Sequence, residues 1–432
     1  MNKTVYHAYV HIIHAELVAA TGCTEPIAIA YCAAKAAQIL GMPPKKLTVA
    51  CSGNIIKNVK GVVVPNSGGL RGIDVAAVLG AVGGDPARGL EVLAAVTQEH
   101  RDRTAELLSD KSYCRCGILD GGDTLDIAVT AEGGGHTALV KIRGDHTHIV
   151  RIERDGEAVP ADAKGGKAYG DGGAADEINR LKKFLNVQDI LAFAGAVDLD
   201  LVRKPLEAQI DANSSIALEG LRNDYGARVG KSLQRKMRDG DLTVRACAMA
   251  AAGSDARMSG CPMPVIINSG SGNQGLTVSL PVLEYAKGLN ASHDKLLRAL
   301  IVSNLISIHQ KRFLGNLSAY CGATSAACGA VCGVAYLLGF GYEAIANTIT
   351  NTITTIGGMV CDGAKPSCAA KIAMALETAF MAFELQQNGG VFAPGEGLVR
   401  ADVEKTIRAI GKMGRDGMRS TDSEILGIML GE

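Results

Sequence analysis

Three consecutive stretches decide the fold: TLDIAVTAE (124–132), HTALVKIRG (136–144) and HTHIVRIERDG (146–156). In each, apolar residues alternate with charged or hydroxyl residues. Successive side chains of a strand point to opposite faces, so a period of two describes strands with one buried and one wetted face. Gly and Asp between the runs supply turns. Outward from this block the period changes. KLTVACSG (46–53) and GVVVPNSGG (61–69) read as strands or extended segments, and residues near 73–82 and 88–108 as helices. At the start, 5–20 and 25–40 read as two helices parted by Thr21-Gly22-Cys23-Thr24, with Gly22 as a stop and Pro26 in the next first turn. Downstream, Gly-rich DAKGGKAYGDGGA (162–174) reads as a flexible connection. The remainder is mainly helical, interrupted by CPMPVIINSGSGNQG (261–275). The expected fold class is α+β: a mainly helical domain over 175–432, a smaller α+β lobe over 43–174, and N-terminal helices over 1–42 that share the helical domain's composition and pack with it.

Composition narrows the function. A chain of 432 residues supports two or three compact domains with a sizeable core. Lys plus Arg and Asp plus Glu are 44 each, so no net field gathers phosphate backbones. With aromatics at 4% and no Trp, a base-stacking surface is also excluded, and no nucleic-acid partner is expected. Hydrophobic residues at 47% exclude a disordered chain, and 53 glycines let helices approach closely. The N-terminal MNKTVYHAYVHIIHAELVAA is broken by His7, His11, His14 and Glu16 and is not a signal peptide. The expected location is therefore cytoplasmic. Its twelve cysteines are then reduced: core fillers, nucleophiles or metal ligands. Two uncharged runs, Phe313 to Tyr342 and Ala344 to Cys361, have the length of membrane spans. Their Gly, Ala, Ser, Thr and Asn content fits central helices of a globular domain better, and no membrane partner is expected.

Three motifs carry chemistry. In TGCTEP (21–26), Cys23 stands just before a helix. The dipole there favours a thiolate, as a cysteine base or nucleophile needs. A small residue filling a helix–helix corner is the structural alternative. VIINSGSGNQG (265–275) contains a formal G-x-G-x-x-G. A dinucleotide site needs a preceding strand and a following long helix. Here prolines 262 and 264 precede the loop, and the β-branched, Pro281-containing LTVSLPVLEY follows it. A nest of backbone N–H groups with Ser269, Ser271, Asn273 and Gln274, suited to a small carboxylate, reads better than a dinucleotide site. A structural Gly turn is the alternative. The third motif is the cysteine set. Cys328 and Cys332 lie on one helical face and read as core packing. Cys321, Cys361 and Cys368 lie near helix ends or a turn and are the better ligand candidates, although no CxxC pair supports a zinc ribbon or a ferredoxin pattern. Cys114-Arg115-Cys116 reads as structural, and the histidines of the first helix as a half-buried or solvent-facing stripe.

Taken together, TGCTEPIAIAYCAAKAA (21–37), the NSGSGNQG loop, SAYCGATSAACGAVCG (318–333) and GGMVCDGAKPSCAAKIAMA (357–375) resemble the L-cysteine desulfidase family and, more distantly, the α-chain of iron–sulfur-dependent bacterial L-serine dehydratase. The resemblance implies a mainly helical catalytic domain beside an α+β lobe. It also implies a [4Fe–4S] cluster held by three cysteines, which by motif order would be Cys321, Cys361 and Cys368. Cys23 would match the family's cysteine base, with the 269–274 loop holding the amino acid. The implied reaction is β-elimination of L-cysteine to pyruvate, ammonia and hydrogen sulfide. Two features of the serine dehydratases are not found: a Ser-rich, His-containing motif and a C-terminal Cys that plugs the open iron. The partner is a small-molecule amino acid, and a homodimer is compatible with the reading. L-Serine dehydration is the alternative reaction. A non-catalytic, cysteine-rich redox or iron-sensing protein is the alternative of another class.

Overall fold

The alternating stretches form the ladder their period demands. The structure, a computed structural model, describes residues 2–119, 123–159, 173–236, 238, 241–315 and 317–431. Its strands are β1 (Ala19–Thr21), β2 (Lys46–Cys51), β3 (Cys114–Ile118), β4 (Asp126–Gly133), β5 (His136–Arg143), β6 (Ile149–Arg154), β7 (Glu157–Ala158) and β8 (Pro264–Ile266). Strands β2 to β7 make one sheet in the order β3-β2-β4-β5-β6-β7, antiparallel except for the β2–β3 pair. The register runs from Asp126 opposite Arg143 to Gly133 opposite His136. Gly134 and Gly135, both at positive φ, close the two-residue turn.

Ile127, Val129, Ala131, Val140, Ile142 and Ile152 form the buried face. The Thr24–Leu40 and Ile73–Gly83 helices cover it. Gly80 makes that cover fit: a Cβ there would stand 2.3 Å from the Ala30 carbonyl oxygen. The second N-terminal helix therefore belongs to the lobe's core, not to the helical body where composition had placed it. Its run of Ile and Ala is apolar all round, and the sheet supplies the matching face. The first helix, Lys3–Glu16, does join the body's core through Tyr9, Ile12 and Ile13.

Other expectations shift locally. The first helix stops at Glu16, and residues 19–21 pair instead with β8, giving the extended Pro-flanked segment a partner. The stretch 61–69 is a series of turns with one bridge, Val63 to Arg71, after a helix over Gly53–Lys60. The helix expected over 88–108 is a short 3-10 segment, Pro86–Glu91, and a true helix, Gln98–Ser109. Thr97 and His100 start the latter with a capping box. The Gly-rich stretch expected at 162–174 lies outside the described residues up to 172.

The body is built around the His293–Leu314 and Gly322–Leu337 helices. Gly329 and Gly333 let their backbones meet: a Cβ would fall 2.5 Å from the Ser303 carbonyl oxygen at the first and 2.8 Å from that of Ala299 at the second. The uncharged run is thus a buried central helix. No helix among the described residues is long and apolar enough to cross a membrane. The last helix, Arg419–Leu430, returns to the lobe and sets Leu426 against the Gly53–Lys60 helix.

Candidate active site

Lobe and body meet at one cavity of about 110 Å³, and all eight residues singled out from the sequence line it: Cys23, Ser269, Ser271, Asn273, Gln274, Cys321, Cys361 and Cys368. Three pieces of chain build it.

The first is the start of the Thr24–Leu40 helix. Gly22, at φ 62°, turns the chain where a Cβ would fall 2.2 Å from the Pro65 ring. Cys23 then takes the N-cap position without capping; its thiol donates instead to Glu25 Oε2 at 3.0 Å. Asn58 donates to Glu25 Oε1 at 3.3 Å, and the Thr24 hydroxyl lies 3.2 Å from Oε2 and 3.1 Å from the Gly270 carbonyl oxygen. His146, from the turn between β5 and β6, brings Nε2 to 3.9 Å from Oε1, an ion-pair distance and not a hydrogen bond.

The electrostatics of this wall correct one expectation. Burial, followed by the neighbouring Glu25 charge, pushes the Cys23 thiol well up despite its place at a helix start. A helix dipole is worth at most about 2 kcal/mol, less than complete desolvation beside a carboxylate. Burial pushes the Glu25 carboxyl up, but His146 and the Cys23 hydrogen bond outweigh it and hold it at about 2. Burial pulls the His146 imidazole down; Glu25 overcomes that and leaves it raised. The arrangement favours a neutral thiol on a carboxylate whose partner imidazole holds its proton more tightly than usual.

The second piece is the loop after β8. Asn268, fully buried, receives Ser269 Oγ at 3.0 Å and Ser307 Oγ at 3.1 Å, and its amide donates to Asn304 Oδ1 at 2.9 Å. These bonds fix the loop on the central helix. Ser269, at φ 50°, and Gly270, at φ 74°, make the turn. Ser271 caps the Gly272–Gly288 helix by accepting from Gln274 N. A helix therefore follows the loop, Pro281 included, where the sequence argued against one. The preceding strand nevertheless belongs to a two-stranded antiparallel pair, so a dinucleotide fold is still lacking. The two serine hydroxyls are engaged within the loop, while Asn273 Oδ1 and Gln274 Oε1 are buried without a hydrogen-bond partner.

The third piece is the cysteine wall. Cys321 takes the N-cap position of the Gly322–Leu337 helix without a side-chain capping bond, its N–H on the Met359 carbonyl at 3.0 Å; the Cys361 N–H reaches the Ala319 carbonyl at 2.6 Å. These rungs flank a Tyr320–Val360 bridge and bring the two cysteines side by side. Cys368 opens the next helix, Cys368–Gln387, and packs against the group formed by Cys23, Val62 and Met258. Cys321 and Cys361 act on one another: Cys361 and burial raise the Cys321 thiol, and Cys321 lowers Cys361 to about 6, where burial opposes the change and Lys57 and Lys311 assist it. Burial raises Cys368. Among the described residues, no three His, Cys, Asp or Glu side chains are grouped tightly enough to hold a single metal ion.

Glu25, Asn58, His146, Arg257 and Lys311 line the cavity and were not singled out from the sequence. Glu25 stood inside the quoted motif, and a carboxylate two residues after a candidate base was a usable signal. His146 and Arg257 come from far along the chain and had no local mark. The remaining calls on cysteines and histidines can be placed simply: Cys328 and Cys332 are fully buried, and His7, His11 and His14 are exposed.

A buried pocket with thiols, a carboxylate–imidazole pair and a guanidinium defines a small-molecule site, and proton transfer is its accessible chemistry. The comparisons agree. Residues 87–427 match the model of the serine dehydratase alpha chain, and this chain belongs to that family, which points to a lyase. Similar full-length proteins are each called UPF0597 protein. The one from Lachnoclostridium phytofermentans is 48% identical, covering 99% of this chain and 100% of that protein. Those from Desulfitobacterium hafniense (47%; 99% and 97%) and Treponema denticola (44%; 100% and 99%) follow.

Proposed function

We propose that this chain is an iron–sulfur-dependent L-cysteine desulfidase. The observation that carries the reading is the convergence of Cys321, Cys361 and Cys368 with the Cys23–Glu25 pair on one buried cavity. Soft thiol donors suit iron–sulfur ligation, and Lys57 and Lys311 beside Cys361 offset the charge that thiolates bring. A [4Fe–4S] cluster held by Cys321, Cys361 and Cys368 would supply a Lewis-acidic iron.

The chain's own residues handle the proton. The Cys23 thiol is directed at Glu25 Oε2 at 3.0 Å; burial and the Glu25 charge favour the protonated thiol in the resting site, and its thiolate, formed in the course of the reaction, would be the base. It then takes the substrate's α-proton. The electrons of that C–H bond form the Cα–Cβ double bond, and the Cβ–S pair leaves as hydrosulfide. Aminoacrylate tautomerises to the imine, which water hydrolyses to pyruvate and ammonium. His146 steadies the Glu25 charge, and the 269–274 loop bounds the amino-acid end. The reading places the protein in the cytoplasm, acting on a small amino acid.

The test is anaerobic purification, with iron and acid-labile sulfide measured beside sulfide release from L-cysteine and ammonia release from L-serine. Roughly four irons per chain and steady sulfide release are expected. The family match favours L-serine dehydration as the second reading, and a faster rate on L-serine would establish it. Iron-free protein after anaerobic reconstitution, with turnover of neither amino acid, overturns both and leaves the non-catalytic redox alternative.

A further inference from the structure

We infer that Arg257 is the carboxylate anchor of the cavity, with the Asn273 and Gln274 side-chain oxygens as the ammonium side of the same receptor, so that the site takes an α-amino acid as its zwitterion. This deepens the lyase reading and rests on it for the identity of the substrate. Arg257 ends the Leu242–Met258 helix, is only 2% exposed, and lines the cavity. Its Nε is buried without a hydrogen-bond partner, and among the described residues the guanidinium has neither a hydrogen bond nor an ion pair. An unpaired buried charge costs several kcal/mol, so an anion is the ligand this position favours. Glu25, the one carboxylate among the lining residues, is already engaged by Cys23, Asn58, Thr24 and His146.

The surroundings are fitted to that arginine. A Cβ on Gly272 would stand 2.3 Å from Nε and 2.6 Å from Cζ, so the first residue of the Gly272–Gly288 helix has to be glycine for the guanidinium to lie there. The group thus sits at the positive end of a 17-residue helix, and both charges favour an anion. One residue further, Asn273 Oδ1 and two further, Gln274 Oε1 are acceptors with no donor. A donor lacking an acceptor beside two acceptors lacking donors is complementary to –COO⁻ and –NH₃⁺ carried on one carbon. Lys311 and Lys371 are the other lysines of the lining; Lys371 is ion-paired with Asp362, which leaves Lys311 as the competing cation.

Calorimetric titration of the anaerobically prepared full-length protein with L-alanine and with ethylamine tests this, because neither ligand has a leaving group and they differ by the carboxylate. Wild type binds L-alanine. Arg257→Gln weakens L-alanine binding about 10- to 100-fold, leaves ethylamine unchanged, and Arg257→Lys recovers part of the loss. Wild type without affinity for L-alanine overturns the inference. So does Arg257→Gln that binds it normally, or a carboxylate-specific loss in Lys311→Met in place of Arg257→Gln. The two readings fail separately. An Arg257-dependent L-alanine affinity in a protein that turns over no amino acid keeps the anchor and removes the lyase. An unchanged KM for L-cysteine in Arg257→Gln removes the anchor and keeps the lyase.

Discussion

The two walls of the cavity are built on opposite plans. The proton wall, Cys23 with Glu25, Asn58 and His146, draws its residues from the lobe, and hydrogen bonds or an ion pair satisfy both oxygens of its carboxylate. The thiols of the cysteine wall come from the body. Beside Cys361 stand the ammoniums of Lys311, from the body, and of Lys57, which reaches in from the lobe's Gly53–Lys60 helix and is ion-paired with Asp422. A self-satisfied wall holds its charges in place for proton transfer; a wall of donors and balancing charge is arranged to bind. Substitutions should therefore separate along this line.

The largest effect belongs to the cysteine wall. Cys361→Ala is expected to lose iron and turnover together, by at least about 10³-fold in kcat, since a Lewis-acidic metal supplies several kcal/mol of transition-state stabilisation. Iron analysis beside sulfide release checks it. Full iron content in this variant would break the division between walls. Next comes Glu25→Gln. It keeps the Cys23 neighbour but removes the anionic acceptor of its proton, so turnover should fall about 10²- to 10⁴-fold with iron unchanged. Iron lost together with activity would show that the proton wall also holds the metal. Smaller again is His146→Gln, which leaves the acceptor and removes only the charge 3.9 Å from it. A drop of about 10-fold in kcat is expected, below that of Glu25→Gln.

The same contrast explains what the sequence could reveal. Strands β4 to β6 were legible because one face is wet and the other buried, which writes a period of two into the residues. The cysteine wall was legible because its members stand in short, distinctive motifs. The proton wall was only half legible. His146 looked like the beginning of a strand run, and only folding the β5–β6 turn against Gly270 makes it part of a site; a Cβ on that glycine would lie 3.2 Å from the imidazole. Strand β1 escaped because its partner lies some 245 residues away, and three residues carry no period. The Gly272–Gly288 helix escaped because burial overrode the propensities of its β-branched residues and Pro281. The Cys23 thiol escaped for a related reason: helix position is visible in sequence, whereas desolvation belongs to the fold.

The smallest effect tests whether the proton wall also supports the fold. Glu25 is held below its ordinary 4.5, so its share of stability is present above about that pH and is lost as pH falls toward 2. His146 is raised above its ordinary 6.5, so its share is complete below that value and is lost as pH rises through the folded-state value. Cys23, Thr24 and Asn58 face the pair on the Glu25 side; Asp145 and Arg257 act on His146, with opposite signs. Both contributions are therefore whole only between roughly pH 4.5 and 6.5. Glu25→Gln should destabilise most in that window, by about 2 kcal/mol, because it leaves a buried imidazolium without its counter-charge. The deficit should narrow at pH 8, where the imidazole sheds its proton in the variant. Thermal melts at pH 5.5 and pH 8 measure the difference. A pH-independent deficit would assign the loss to packing and would make the proton wall a catalytic device with no electrostatic share in stability.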